Sequence, residues 1–507
     1  MSTRTLNAKR NIIVGVLSNC LIPVFAMVVN SAVVKQFSVE YIGLTSTFSS
    51  IFEMLNLAEL GFSSAIIVNL YKPLKENNTA AVRGLLAYYK RVYRIVGLII
   101  GIAGTIACLL LGKLVGDTGT IHENIVVLYF IYLAEKIIKY LFFAYKEALL
   151  NAIQRLDLIK TVYIIVYFTK SILQLLSVTV LKNFYLYAAV TAVSTFCYYY
   201  ALHILSKKKY GQYYPEGEPG EETKHVIREQ VAGVSVSNLV GVSRNSLRSL
   251  IVTSYLGLHL AGQYANYSTI FNAVLGFFLV ITKAIQSGIG NSIVSEPVEK
   301  NYSNLTKMEF LQNVVITACT AYLLCLYQPF MKLWMGEKLM LPEPVMMLFV
   351  LNFYILAMSE VRNAFFSALG YWWKAKWLFI AEALLNVLLL VSLGKLFSIY
   401  GIIMATVFTL IFVNYIGITN LLFREYFRIR PKEFYINRII YTLITVVTAG
   451  ACYYACSLVR PEGIPGLALR VVVCSVTWMI LLPAILLLVK REYVKESVAF
   501  IRQILKA

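Results

Sequence analysis

The sequence predicts an all-α polytopic membrane protein of about fourteen transmembrane helices, and three observations carry that prediction. Of its 507 residues, 59% are hydrophobic and only 14% are charged, whereas soluble domains run nearer a quarter charged. The apolar runs are long and continuous, unlike the short alternating segments of a membrane barrel. Lys and Arg are also distributed unevenly between alternate connections, which orients the spans.

The predicted spans are 11–34, 42–70, 86–111, 124–150, 157–181, 183–206, 226–256, 259–292, 308–328, 343–369, 372–394, 399–423, 436–458 and 466–489. Three basic residues (Arg4, Lys9 and Arg10) precede the first run. That run is long and lacks a small-x-small cleavage site, so it reads as a retained helix rather than a signal peptide. With both termini inside, the inner side holds 30 Lys and Arg, the outer side 8, and a further 8 fall within spans. The formal charge of +20 then reflects basic surfaces facing anionic lipid, not nucleic acid. All eight cysteines lie in apolar runs and read as small fillers. Cys452 and Cys456 are one turn apart, but the sequence sets no second thiol or His pair beside them. No metal or cofactor is expected.

Residues 207–225, KKKYGQYYPEGEPGEETKH, form a polar, Pro- and Gly-rich stretch. They read as a cytoplasmic linker between an N-terminal half, 1–206, and a C-terminal half, 226–425. Spans 13 and 14 and a basic tail make up 426–507. A shift of 219 places Ser18-Asn19 on Ser237-Asn238, Gly43 on Gly262 and Phe48–Phe52 on Tyr267–Phe271. Six spans per half imply parallel repeats, an arrangement that puts a substrate site at their junction. The second part of the basic stretch 71–94 is expected to run along the interface before entering span 3. The segment after Val489 reads as an amphipathic helix on the inner surface, with a solvated tail as the alternative.

Span 7 is the one around which a function can be argued. Ser237, Gly241, Arg244 and Arg248 follow a 4, 3, 4 spacing and share a helix face. Arginine at mid-membrane costs about 2.5–3.5 kcal/mol on insertion scales, so it marks a wet pathway, a partner or an anion. The other intramembrane cations are Lys136, Lys139, Lys146, Lys170, Lys283 and Arg362, with Lys146 and Arg362 expected to snorkel at inner ends. Glu53, Glu59, Glu135, Glu147, Glu360 and Glu382 are the intramembrane acids. Substrate-binding candidates are Arg244, Arg248, Lys136, Lys139, Lys283, Glu53, Asn19, Asn30 and Asn238. Arginine suits bidentate phosphate contact. The stripe Ser46, Ser49, Glu53, Asn56 could bond sugar hydroxyls or join helices. Pairing is the alternative for the arginines, with Glu53 or Glu382 as partner. Pro23, between Asn19 and Asn30, predicts a bend in span 1, as a hinge or as a static kink.

Residues 41–70, YIGLTSTFSSIFEMLNLAELGFSSAIIVNL, resemble the second-helix motif of bacterial polysaccharide flippases of the O-antigen and capsule type. Residues 246–271, SLRSLIVTSYLGLHLAGQYANYSTIF, are similar to the hairpin motif of that family. LWMGEKLMLPEPV at 333–345 and FFSALGYWWKAKW at 365–377 resemble its outer loop and its junction of helices ten and eleven. The likeness spans 10–425 and rests on order and spacing. It implies membership of the multidrug, oligosaccharidyl-lipid and polysaccharide exporter superfamily. It further implies translocation of undecaprenyl-pyrophosphate-linked oligosaccharide across the bacterial cytoplasmic membrane, with polysaccharide-assembly proteins as expected partners.

Two other readings compete. A drug or cation antiporter of the same superfamily would carry unpaired buried acids, yet span 1 has none. A membrane glycosyltransferase or polymerase would need a sizeable outer loop, which the span list does not leave. The four histidines are isolated, and no nucleotide-binding glycine loop is present. The charge bias makes a topological prediction. Engineered cysteines near Thr118 and Gly336 are expected to react with an impermeant thiol reagent added outside, and one near Gly217 to stay unlabelled. Labelling of the Gly217 site from outside would invert the orientation.

Overall fold

The computed structural model describes residues 3–59, 62–116, 118–142 and 144–491. The tail at 492–507 lies outside them. Every described regular element is helical, as apolar segments without water must be if their backbone groups are to bond internally. The helices are α1 (Thr3–Gln36), α2 (Val39–Leu55), α3 (Phe62–Lys75), α4 (Thr79–Cys108), α5 (Leu111–Val115), α6 (Ile125–Leu141), α7 (Ala144–Ala152), α8 (Leu156–Thr179) and α9 (Phe184–Tyr210). They continue as α10 (Glu221–Val242), α11 (Arg248–Ser295), α12 (Val298–Met335), α13 (Glu343–Ala368), α14 (Lys376–Thr409), α15 (Ile416–Leu422), α16 (Lys432–Ser457) and α17 (Gly463–Val489). Among the described residues, nine helices are long and apolar enough to cross a membrane. Predicted spans 2, 4 and 7 fall on interrupted helices, and span 8 lies along α11. Span 2 is α2 and α3 around the tight turn Asn56–Glu59, span 4 is α6 and α7, and span 7 runs from α10 through the wide π turn Ser243–Leu247 into α11.

Local signals fix the helix starts. The side chains of Asn78, Asn124 and Asn183 each accept a backbone N–H from the first turn they precede, satisfying donors a helix leaves open. Gly257, at φ 81°, breaks α11 between predicted spans 7 and 8, a conformation glycine adopts without a Cβ penalty.

The chain divides into two compact units, Met1–Ala273 and Val274–Ala507. In the first, α1 packs on α8, α8 on α9, α9 on α6, and α6 on α4. α2 crosses α11 at two glycines: a Cβ on Gly43 would strike the Leu258 carbonyl, and one on Gly262 the Val39 carbonyl. Thr47 and Thr253 hydrogen-bond at 2.7 Å and Ser46 and Ser249 at 3.4 Å along the same crossing. This is the small-residue packing by which membrane helices approach closely. The stretch after α9 lies on the start of α4. Arg83 pairs with Glu216, Arg91 with Glu218, and the Arg83 Nε donates to the Tyr214 carbonyl. Arg91 and Lys224 hold the exposed Glu218 carboxyl down to about 2.

In the second unit α12 packs on α13, α16 and α17. Arg438 of α16 meets Glu309 of α12 at 2.7 Å, both nearly inaccessible. Sequence reading set Arg438 with the inner surface, but α12 begins at Val298, so Glu309 lies three turns inside the helix. Arg362 is also fully buried. It donates to the Asn414 and Tyr415 carbonyls at 3.3 and 2.7 Å and to the Thr419 hydroxyl at 3.2 Å. The π turn Leu410–Tyr415 widens the backbone there, presenting its carbonyls to the guanidinium. The expected snorkelling of Arg362 is therefore corrected: the α13 side chain is held by the backbone of the next helices. Lys146 is likewise 2% exposed and does not snorkel.

Two stability tests follow from this packing. Gly262→Ala is expected to lower thermal stability in detergent by about 1–3 kcal/mol, as overpacking of a close crossing does, with Ser254→Ala, on an exposed position, near neutral. Glu309→Ala is expected to cost about 3–5 kcal/mol by stranding the Arg438 charge, and Glu309→Leu with Arg438→Met to recover most of it. A double variant as unstable as Glu309→Ala would contradict the pairing account.

Candidate functional site

The first unit contains the densest set of sequence-selected residues. α2 places Ser49 and Glu53 on its exposed side. The π turn Ser243–Leu247 follows α10 and packs on α2. The Ser246 hydroxyl donates to the Glu53 carboxylate at 2.8 Å. Asn245, in the same turn, is exposed and Arg244 is half-buried. A π turn inserts a residue and widens the spiral, so the even 4, 3, 4 stripe of a regular helix is offset here. Arg248 begins the next helix, buried, with its guanidinium 5.6 Å from the Tyr264 ring centre. Its Nε lacks a hydrogen-bond partner, and no carboxylate among the described residues forms an ion pair with Arg248. The predicted stripe on span 2 divides its roles. Ser46 joins α11, Asn56 Oδ1 lies 2.8 Å from the Tyr140 hydroxyl oxygen, and Ser49 and Glu53 are exposed, Glu53 with the Ser246 hydroxyl on it.

The lysines of α6 face acids. Lys139 meets Glu59 at 2.9 Å, and Glu59 also accepts the Tyr93 and Tyr140 hydroxyls. Lys136 meets Glu135 at 3.0 Å, whose other oxygen accepts from Thr195 at 3.2 Å. Glu59 belongs to the tight turn that interrupts span 2, so the break delivers a carboxylate to α6. The two acids of span 2 thus serve different neighbours: Glu53 the π turn, Glu59 the α6 lysine.

Of the other candidates, Asn30 donates to Asn266 at 3.3 Å, a polar link from α1 to α11. Asn19 and Asn238 are half-buried. The side chains of Ser237 and Lys283 lie outside the described residues. α1 continues through Pro23. Glu382 lies in the second unit, accepting from Asn414 at 3.0 Å.

Several groups escaped sequence reasoning. Glu309 and Arg438 sat at predicted span ends. The missing thiols beside Cys452 and Cys456 also exist: Cys325 of α12 and Cys474 of α17 pack with them in one buried cluster. Helix packing supplies that neighbourhood, and no local spacing announces it. The described residues contain no group of His, Cys, Asp and Glu arranged to hold a metal. The second unit also encloses an apolar groove of about 710 Å³ between α12, α13, α16 and the π turn after α14, with Arg438 among its few polar walls.

The sequence matches no known family model and no curated protein. Solved structures do match in fold. The lipid II flippase MurJ, in an inward closed conformation, superposes with a TM-score of 0.67 at 14% identity, over 95% of this chain and 98% of that one. An inward-facing multidrug resistance MATE family transporter of the MOP superfamily gives 0.59 at 16% identity, over 83% and 94%. The Vibrio cholerae MATE transporter VcmN, as a mutant, gives 0.55 at 15% identity, over 84% and 99%. At such identities the likeness is one of fold: this chain is an all-α membrane protein with the fold that the transporters of the MOP superfamily share.

Proposed function

We propose that this protein is a flippase that moves undecaprenyl-pyrophosphate-linked oligosaccharide from the inner to the outer leaflet by alternating access. The observation that carries the reading is a polar strip of the first unit: the exposed Ser49 and Glu53 of α2 and Asn245 of the π turn, with the half-buried Arg244 next to Asn245. Polar and charged side chains turned outward at membrane depth are costly against lipid, so they line a water-filled path. The buried Arg248 backs that strip. A headgroup pyrophosphate is the anion for which a guanidinium fork is suited. Glu53 and the serines match sugar hydroxyls. Lys136, Lys139, Asn19, Asn30 and Asn238 complete the proposed wall, with Lys139 released when its pair with Glu59 opens. The first neighbour's name, a lipid II flippase, favours a lipid-borne substrate.

In this reading the chain sits in the bacterial cytoplasmic membrane with both termini inside, residues 207–225 joining the halves 1–206 and 226–425. No step of bond chemistry is assigned. A drug or cation antiporter would use the same fold. What separates the two is charge: an antiporter for cations needs acids unopposed by bases, and here Glu59 and Glu135 each face a lysine while Glu53 shares its strip with Arg244.

Arg248→Gln is expected to abolish surface glycan at unchanged protein level, and Arg248→Lys to retain part of it, because an ammonium cannot reproduce the fork. Export and abundance are measured on the same cells. A fall in abundance for Arg248→Gln, repaired by Glu53→Gln, would falsify the anion role and leave a structural ion pair.

A further inference from the structure

A second cationic cluster occurs in the first unit, and nothing in the proposed pathway uses it. It joins three helices near the 207–225 connection. Lys90 and Arg94 stand one turn apart on α4, Lys146 lies in α7, and His203 and Lys207 stand one turn apart near the end of α9. Tyr145 sits among them, its ring centre 5.7 Å from the Lys90 Nζ and 5.2 Å from the Lys146 Nζ. Lys146 is 2% exposed. The charges acting on it are Lys90 and Lys207, both positive. Those acting on His203 are Lys146, Lys207 and Lys90, and Lys90 in turn faces Arg94.

The nearby acids are engaged elsewhere. Glu147, the next residue along, is hydrogen-bonded to Tyr199, with Lys139 and Lys160 as the cations whose charge reaches it. Glu216 and Glu218 pair with Arg83 and Arg91. Among the described residues, Lys90, Arg94, Lys146 and Lys207 form no ion pair with any carboxylate. A buried ammonium among like charges is costly, and one aromatic ring returns only part of that cost. Like charges converge where an anion supplies the missing sign.

We infer that Lys146, Lys90 and Lys207 form an anion site for a phosphate or pyrophosphate group, lipid-borne or free, on the face that carries the 207–225 connection. Lys146 is the buried anchor and Tyr145 the floor that holds two ammoniums apart. Lys90 and Lys207 close over the anion from α4 and α9. The site uses none of the residues of the strip around Arg248, so it stands or falls independently of the flippase reading.

The test uses the full chain in phosphatidylcholine nanodiscs, titrated calorimetrically with inorganic pyrophosphate. Saturable binding is expected, weakened at least tenfold by Lys146→Gln and by Lys90→Gln, and unchanged by Lys338→Gln, an exposed lysine of the second unit. Adding phosphatidic acid to the nanodiscs identifies the source. Loss of pyrophosphate binding assigns the site to a lipid phosphate; retained binding assigns it to a soluble one. Should Lys146→Gln not fold, Lys90→Gln and Lys207→Gln carry the test from accessible positions. No saturable binding to the folded wild type, or equal affinity in all the lysine variants, overturns the inference. So does Lys146→Met if it raises Tm without changing pyrophosphate affinity, since Lys146 would then be a buried charge and nothing more.

Discussion

The constraint on which this structure depends is that a charge or polar group inside an apolar helix must find its partner within the protein. Hydrocarbon offers none. The chain answers it by interrupting its helices. The turn Asn56–Glu59 breaks span 2 and delivers Glu59 to Lys139, Tyr93 and Tyr140. The π turn Leu410–Tyr415 supplies two carbonyls to Arg362. The π turn Ser243–Leu247 carries Ser246 to Glu53. Each irregularity occurs where a polar side chain needs a backbone or side-chain partner, which is where broken membrane helices are tolerated.

The same constraint separates scaffold from site. Arg362, Glu309 and Arg438 are buried and engaged by named partners in the second unit. They hold helices in register, and losing one partner would strand the other. Ser49, Glu53 and Asn245 are polar and exposed on membrane-level elements of the first unit. Lys146 is buried among like charges. Among the described residues of the first unit, exposed polar groups and like-charged cations thus occur at two separate places.

Close packing determines which contacts are possible at all. Gly43 and Gly262 occupy corresponding positions under the 219-residue shift, and in the fold each meets backbone of the other's helix. A weak internal similarity thus coincides with a crossing point. The threonine and serine pairs beside it extend the crossing without large side chains, so α2 stays near the π turn and brings Glu53 within reach of Ser246.

The sequence by itself determined the membrane class, the helix positions and the basic asymmetry, because long apolar runs and charge placement are local properties of the chain. It also placed Arg244 and Arg248 within a span and singled out Glu53 beside them as a candidate. What only the tertiary structure decided was partnership. Spacing along one helix says which residues share a face, not which helix that face meets. So Lys136 and Lys139 read equally as pathway cations or as paired ones, and only the fold sets Glu135 and Glu59 against them. Lys146 and Arg362 read as snorkelling groups near span ends, yet are buried because neighbouring helices extend past them. Cys325 and Cys474 lie far from Cys452 in the chain and join it only where α12, α16 and α17 pack. Local chemistry is written residue by residue; the pairing of charges depends on which helices the fold sets side by side.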